Sequence, residues 1–131
     1  EEMSRFLFFN NNTGRGVDIV SLNIQRERDH GLAPYWKWRS FCGLRPLTGL
    51  NDTEALGPHA NELAKVYSSM YDIDLYSGML HEPVVEGLVG PTISCLLRIQ
   101  FSLLKHGDRH FFDNTEPNSG FTDGRITFKR L

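Results

Sequence analysis

Ser21-Leu22-Asn23-Ile24-Gln25-Arg26-Glu27-Arg28-Asp29-His30-Gly31 is the stretch on which the reading of this chain turns. It follows an apolar start at Val17, Ile19 and Val20 and concentrates amides, guanidiniums, carboxylates and an imidazole in eleven residues. The pattern predicts a helix from Val17 to about Arg28, stopped at Gly31, since glycine is a common residue just past a helix end. On such a helix Asn23 and Arg26 are three apart and share a face, with Ile19 one turn earlier. A buried amide left without a partner costs about 1–3 kcal/mol, so a buried Asn23 needs one. The same spacing also fits a polar face closed by internal salt bridges, such as Glu27 with Arg28 or Asp29 with Arg26.

Working outward, Met3 to Phe9 reads as the end of an apolar helix, and Asn10 to Gly16 as a polar loop. Pro34 suits the opening of a second helix carrying Tyr35, Trp38, Phe41 and Cys42, which ends before Gly43 and Pro46. Thr48 to Pro58 reads as loop. A helix is expected from His59 to about Met70 with Leu63, Val66 and Tyr67 on one face, and Ile73 to Pro83 as a segment broken by turns around Gly78. The strongest pattern lies at 91–105. There Ile93, Leu96, Leu97, Phe101 and Leu104 form one stripe and Ser94, Arg98, Ser102 and Lys105 lie opposite, between Pro91 and Gly107. No convincing alternating strand is visible. The expectation is a mostly α chain with little or no sheet.

The 131 residues fit one domain or a piece of a larger one. A net charge of -2 with no basic tract gives no pull toward nucleic acid. The apolar runs fall far short of the roughly 20 residues that span a bilayer. Glu1-Glu2-Met3 carries no leader, although one could lie upstream. Cys42 and Cys95 are too far apart for a CxxC motif or a zinc knuckle, which leaves two buried thiols or one long-range disulfide. Asn11-Asn12-Thr13 and Asn51-Asp52-Thr53 are sequons in polar stretches, and Asn11 and Asn51 are the candidate glycan acceptors. With the cysteines they tilt the reading toward secretion. His30 reads as a helix cap, and His59, His106 and His110 as surface residues. His81 lacks a second histidine one turn away, as a zinc helix would need. Asp108-Arg109 reads as a surface ion pair.

Leu22, Asn23, Gln25, Arg26, Arg28, Asp29, His30 and Gly31 closely resemble the proximal-helix signature of the animal-type haem peroxidases (the peroxidase–cyclooxygenase superfamily, with its invertebrate chorion-peroxidase and peroxinectin-like members). Further runs agree with that family. They are Pro34-Tyr35, Trp38-Arg39 and Phe41-Cys42-Gly43-Leu44, then Ile73-Asp74-Leu75, Gly78 and Glu82-Pro83. Val89-Gly90-Pro91-Thr92, Cys95, Gln100-Phe101, Leu104 and Gly107-Asp108-Arg109 resemble its long helix. The likeness covers roughly residues 3–113. Glu27 departs from it by replacing a small residue, Ala33 and Trp36 break a Pro-Gly-Tyr-Asn run, and Ser77 and Met79 flank the retained Gly78. After Asp113 only Phe121-Thr122 stays close.

The resemblance implies that residues 1–131 are the C-terminal portion of one peroxidase domain. Asn23 would accept a hydrogen bond from the proximal histidine and so tune the ligand, and Arg26 would pair with a haem propionate. Cys42 and Cys95 would be disulfide-bonded. The iron-binding histidine, the distal histidine and arginine, the calcium loop and the residues that bond covalently to haem would all precede Glu1. No catalytic residue and no metal ligand is therefore assigned within the chain. The implied function is reduction of hydrogen peroxide and oxidation of a small organic or halide donor, with haem shared with the rest of the domain and the isolated chain inactive. The alternative is a non-catalytic extracellular module for adhesion or matrix binding. A cofactor-free helical domain is the third reading, and it would leave Ile93, Leu97 and Phe101 uncovered.

Overall fold

A computed structural model describes residues 2–85 and 87–114. The chain forms two compact units, Glu1–Ser94 and Cys95–Leu131. A π-helical turn, Glu2–Phe6, opens the first unit. It leads into strand β1 (Leu7–Asn10), which pairs antiparallel with β2 (Arg15–Val17) in the one two-stranded sheet among the described residues. Helices α1 (Ile19–Asp29), α2 (Tyr35–Phe41), α3 (Thr53–Leu56) and α4 (Ala60–Leu63) follow. A 3-10 turn at Met70–Asp72, α5 (Leu75–His81) and α6 (Pro91–Gly107) complete the order.

The start of α1 lies two residues later than its apolar pattern predicts. Asp18 has extended backbone angles, and its carboxylate accepts from the N–H groups of Val20 at 3.0 Å and Ser21 at 3.2 Å. A cap of this kind satisfies amides the helix cannot reach, so the helix begins after Asp18 and Val17 is left to β2. The expected end of an apolar helix at Met3–Phe9 is thus a helical turn only to Phe6, and the expected Asn10–Gly16 loop is the turn and second strand of a hairpin. At the other end the His30 N–H reaches the Arg26 carbonyl at 2.9 Å and Gly31 takes φ +66°, as placed by the sequence.

Two further segments depart from expectation. The Thr48–Pro58 loop contains α3, because Asp52 caps it by accepting from Ala55 N–H at 3.1 Å. Asp52 also takes Thr48 N–H and hydroxyl, each at 2.9 Å, and Arg45 at 2.7 Å, which holds its carboxyl well below the usual range with Arg45 as the main cause. The helix expected at His59–Met70 closes as a single turn, α4. Its supposed apolar face is not continuous, since Leu63 is buried while Val66 is 77% exposed.

The largest correction falls at Ile73–Pro83, where helix α5 (Leu75–His81) runs unbroken through Gly78. A Cβ at Gly78 would lie 2.2 Å from Cγ of the Tyr35 ring, so glycine is there for close packing of α5 on α2 and not as a breaker. Tyr35 is fully buried and joins Leu56, Ala60, Leu63, Ile73 and Leu75 in the core. Its N–H bonds the Ile73 carbonyl at 2.9 Å, and Trp36 meets the Tyr71 ring edge-on at 5.4 Å.

Beneath this core lies a buried polar cluster. Glu82 Oε1 accepts from Tyr35 Oη at 2.7 Å, Arg39 Nη1 at 2.8 Å and Thr92 Oγ1 at 2.5 Å, and Oε2 accepts from Thr92 N–H at 2.7 Å. Arg39 Nη1 also donates to Tyr35 Oη at 3.0 Å, and its Nε and Nη2 donate to the Arg45 carbonyl at 3.1 and 3.0 Å. The Arg39 and Glu82 side chains are 6% and 0% exposed, so a burial cost of several kcal/mol per ion is offset only by this full set of bonds. Burial, with the Glu82 carboxylate beside it, pushes the Tyr35 phenol far above its ordinary value.

In the second unit, α6 continues as the apolar-patterned helix that the sequence places at 91–105. Leu97, Phe101 and Leu104 are exposed, as are Ile99 and Leu103 off the expected stripe. Asp108 and Arg109 do not pair. Asp108 accepts from His110 N–H at 2.8 Å, and Arg109 Nε donates to His110 Nε2 at 2.9 Å. Phe121-Thr122 lies outside the described residues.

Candidate functional site

One turn of α1 separates Asn23 from Arg26, and the second turn brings Glu27 and His30 onto the same side, a spacing of 0, 3, 4 and 7. All four line one cleft of about 260 Å³, whose facing wall is Leu75, Tyr76 and Met79 from α5. Arg26 Nη2 donates to Asn23 Oδ1. Arg26 is exposed and, among the described residues, enters no ion pair, while Asn23 is half-buried. The internal bridges that spacing also allowed do not form. Arg28 turns away to Asp74, at 2.9 Å through Nε and 2.5 Å through Nη2, and Arg26 goes to Asn23 instead of Asp29.

That diversion has electrostatic consequences. Arg28 holds the Asp74 carboxyl below its ordinary range, assisted by the Tyr67 hydroxyl at 2.7 Å. Asp74 precedes α5 but is occupied in this way, and its side chain makes no cap. The cap comes from α1: Glu27 Oε2 accepts from Tyr76 N–H at 2.8 Å. Glu27 is a functional candidate that pairwise reading of Asn23 and Arg26 missed. Its position four after Asn23 was the available signal.

The other candidates are placed as follows. Both Cys42 and Cys95 are disulfide-bonded, which decides between the two readings of the cysteines. Asn11 and Asn51 are exposed. His59, His106 and His110 are exposed, and the His81 ring meets the Ser77 carbonyl at 2.8 Å. Among the described residues no group of three or more histidine, cysteine or acidic side chains could hold a metal, and no helix is long and apolar enough to cross a membrane.

The cleft is thus edged by an amide and a guanidinium three residues apart on α1, and the guanidinium enters no ion pair among the described residues. Comparison with known proteins gives the chain a family. The animal haem peroxidase family matches residues 1–128, and the chain belongs to that family. It is 42% identical over 118 residues to a peroxidase-like protein of Margaritifera margaritifera and 45% identical over 118 residues to haem peroxidase 2 of Caenorhabditis elegans. These alignments take in 86% and 87% of this chain but 15% and 16% of those proteins. Mouse lactoperoxidase is 40% identical, with 86% of this chain and 16% of the relative aligned. Among solved structures, peroxidase A of Dictyostelium discoideum superposes with a TM-score of 0.72 at 34% identity, over 95% of this chain and 26% of that one. The chain therefore spans about a sixth of the length of these curated relatives.

Proposed function

We propose that residues 1–131 are the C-terminal portion of one peroxidase domain and form the proximal side of its haem pocket. The working enzyme would reduce hydrogen peroxide and oxidise an organic or halide donor. The observation that carries this reading is the Asn23–Arg26 edge of α1, with an exposed guanidinium that no carboxylate takes among the described residues. A helix relieved of its cofactor has no need of that charge, which disfavours the purely adhesive reading.

The residues fit the group. Arg26 stays charged and offers two parallel donors, so it would hold a haem propionate. Asn23 Oδ1 already accepts from Arg26, but an amide oxygen has two lone pairs and would keep one for the N–H of the imidazole that holds the haem. That bond would fix the ring's orientation and raise its basicity. Haem, when bound, supplies the redox chemistry with peroxide. The axial ligand, the distal pair and the calcium site are assigned to a segment preceding Glu1, so the chain alone would be inactive. The disulfide-bonded cysteines and exposed sequons at Asn11 and Asn51 support passage through an oxidising, secretory compartment.

The test uses the protein extended by its preceding coding sequence. Arg26→Ala is expected to reduce the haem retained through purification, and Asn23→Ala to shift the Soret band and slow turnover. Normal turnover with an unchanged Soret band in Asn23→Ala would overturn the assigned role, and an extended protein without haem would favour adhesion.

A further inference from the structure

Two guanidiniums meet in a second cleft, on the hairpin near the start of the chain. Arg5 lies in the π-helical turn and Arg15 opens β2, and both line a cleft of about 450 Å³ with Phe6, Phe9, Gly14 and Gly16. No acidic side chain lines this cleft. Among the described residues Arg5 and Arg15 make neither an ion pair nor a side-chain hydrogen bond. Backbone packing holds their two elements together: a Cβ at Gly16 would collide with the Arg5 carbonyl oxygen, so glycine is what lets β2 approach the turn. Two like charges brought to one concave surface repel, and an anion seated between them relieves that repulsion.

The apolar half of the cleft is built by a local irregularity. The β1–β2 register slips between the Leu7–Val17 and Asn10–Arg15 pairs. Within that slip Phe8 takes φ +51°, a left-handed conformation that is costly for a bulky residue. Such an irregularity re-aims the side chains beside it. Phe9 here meets Phe6, with ring centroids 5.6 Å apart and planes at 47°. The two residues remain 43% and 46% exposed, so their rings are open to a ligand. Rings of this kind cover a flat apolar body, and guanidinium forks take an oxyanion through paired N–H bonds.

We propose that this cleft binds an aromatic oxyanion, a ring bearing a carboxylate, sulfate or phosphate: Arg5 and Arg15 take the charged group, and Phe6 and Phe9 cover the ring. A cation would be repelled by the two arginines, and a neutral ring would leave them unsatisfied. The chemistry is the same whether the ring belongs to a free small molecule or to a modified tyrosine side chain. The cleft shares no lining residue with the Asn23–Arg26 edge, so the proposal does not rest on the haem assignment.

The test titrates phenyl sulfate by calorimetry into the protein extended by its preceding coding sequence, in low salt and without peroxide. Saturable binding is expected, with inorganic sulfate and phenol each about tenfold weaker, because each supplies half of the contacts. Arg5→Gln and Arg15→Gln should each weaken phenyl sulfate roughly tenfold, the scale of one lost charge-assisted contact. Phe9→Ala should weaken phenyl sulfate and leave inorganic sulfate unchanged. A sulfotyrosine peptide separates the two sources: tighter binding than phenyl sulfate assigns a protein partner, and equal or weaker binding a small molecule. The proposal is overturned by no saturable binding, which is the result if another part of the full protein covers the cleft. It is overturned equally by phenyl sulfate binding no tighter than inorganic sulfate, or by an affinity indifferent to both arginine substitutions. Loss of binding in Arg26→Ala also overturns it, by placing the anion at the other cleft. If a glutamine variant fails to fold, Arg15→Lys keeps the charge and removes the fork; it should weaken phenyl sulfate, and unchanged affinity there counts against the proposal. No reading depends on haem content, so failure here and failure of the haem assignment are separate results.

Discussion

Two charged clusters meet the two ends of α5, and they are built on opposite terms. At the Tyr35–Arg39–Glu82–Thr92 cluster both ions are buried and both carboxylate oxygens accept hydrogen bonds. Along the Asn23–Arg26–Glu27–His30 edge, among the described residues, an exposed guanidinium has no carboxylate and a buried carboxyl oxygen has no hydrogen-bond partner. The first cluster is complete within the chain and belongs to architecture. The second is left open beside the cleft among the described residues, and the function proposed above gives that opening a use.

This contrast can be broken by mutation. Glu82→Ala should destabilise the chain most, by about 3–5 kcal/mol, since it strands the buried Arg39 charge; a urea midpoint within error of the parent would show that the cluster is not structural. Gly78→Ala should cost about 1–3 kcal/mol by driving a methyl into the Tyr35 ring, with loss of near-UV tyrosine ellipticity as its signature. Asp52→Ala removes a cap and the Thr48 clamp together and should cost about 1–2 kcal/mol. The part due to the lowered Asp52 carboxyl is present above the ordinary aspartate range and is lost as pH falls, so parent and variant should converge in acid. Arg26→Ala should change stability least, within about 0.5 kcal/mol, while weakening haem retention in the extended protein. A large stability loss there would erase the distinction between the two clusters.

How far the sequence discloses this can be judged residue by residue. Helices α1, α2 and α6 were legible because their periodicity and end signals are local: Gly31, Pro34 and Pro91 stand where a helix stops or starts. Asn23 and Arg26 were legible as a pair for the same reason. What stayed hidden depends on distant partners. Gly78 looks like a breaker until Tyr35, 43 positions earlier, is seen against it. Glu27 looks like one more surface acid until its oxygen is found on the Tyr76 amide, 49 positions on. Val66 looks like core because apolar spacing does not say which face finds a neighbour. The hairpin was missed because strands of four and three residues are too short to show alternation.

Helix α6 carries a consequence for the cell that makes this chain. Leu97, Ile99, Phe101, Leu103 and Leu104 are all exposed on it, and they point to more than one side. To a chaperone such a helix looks like a protein whose folding has not finished. Produced by itself, the chain should be retained and cleared by quality control at a rate set by how long that surface stays uncovered.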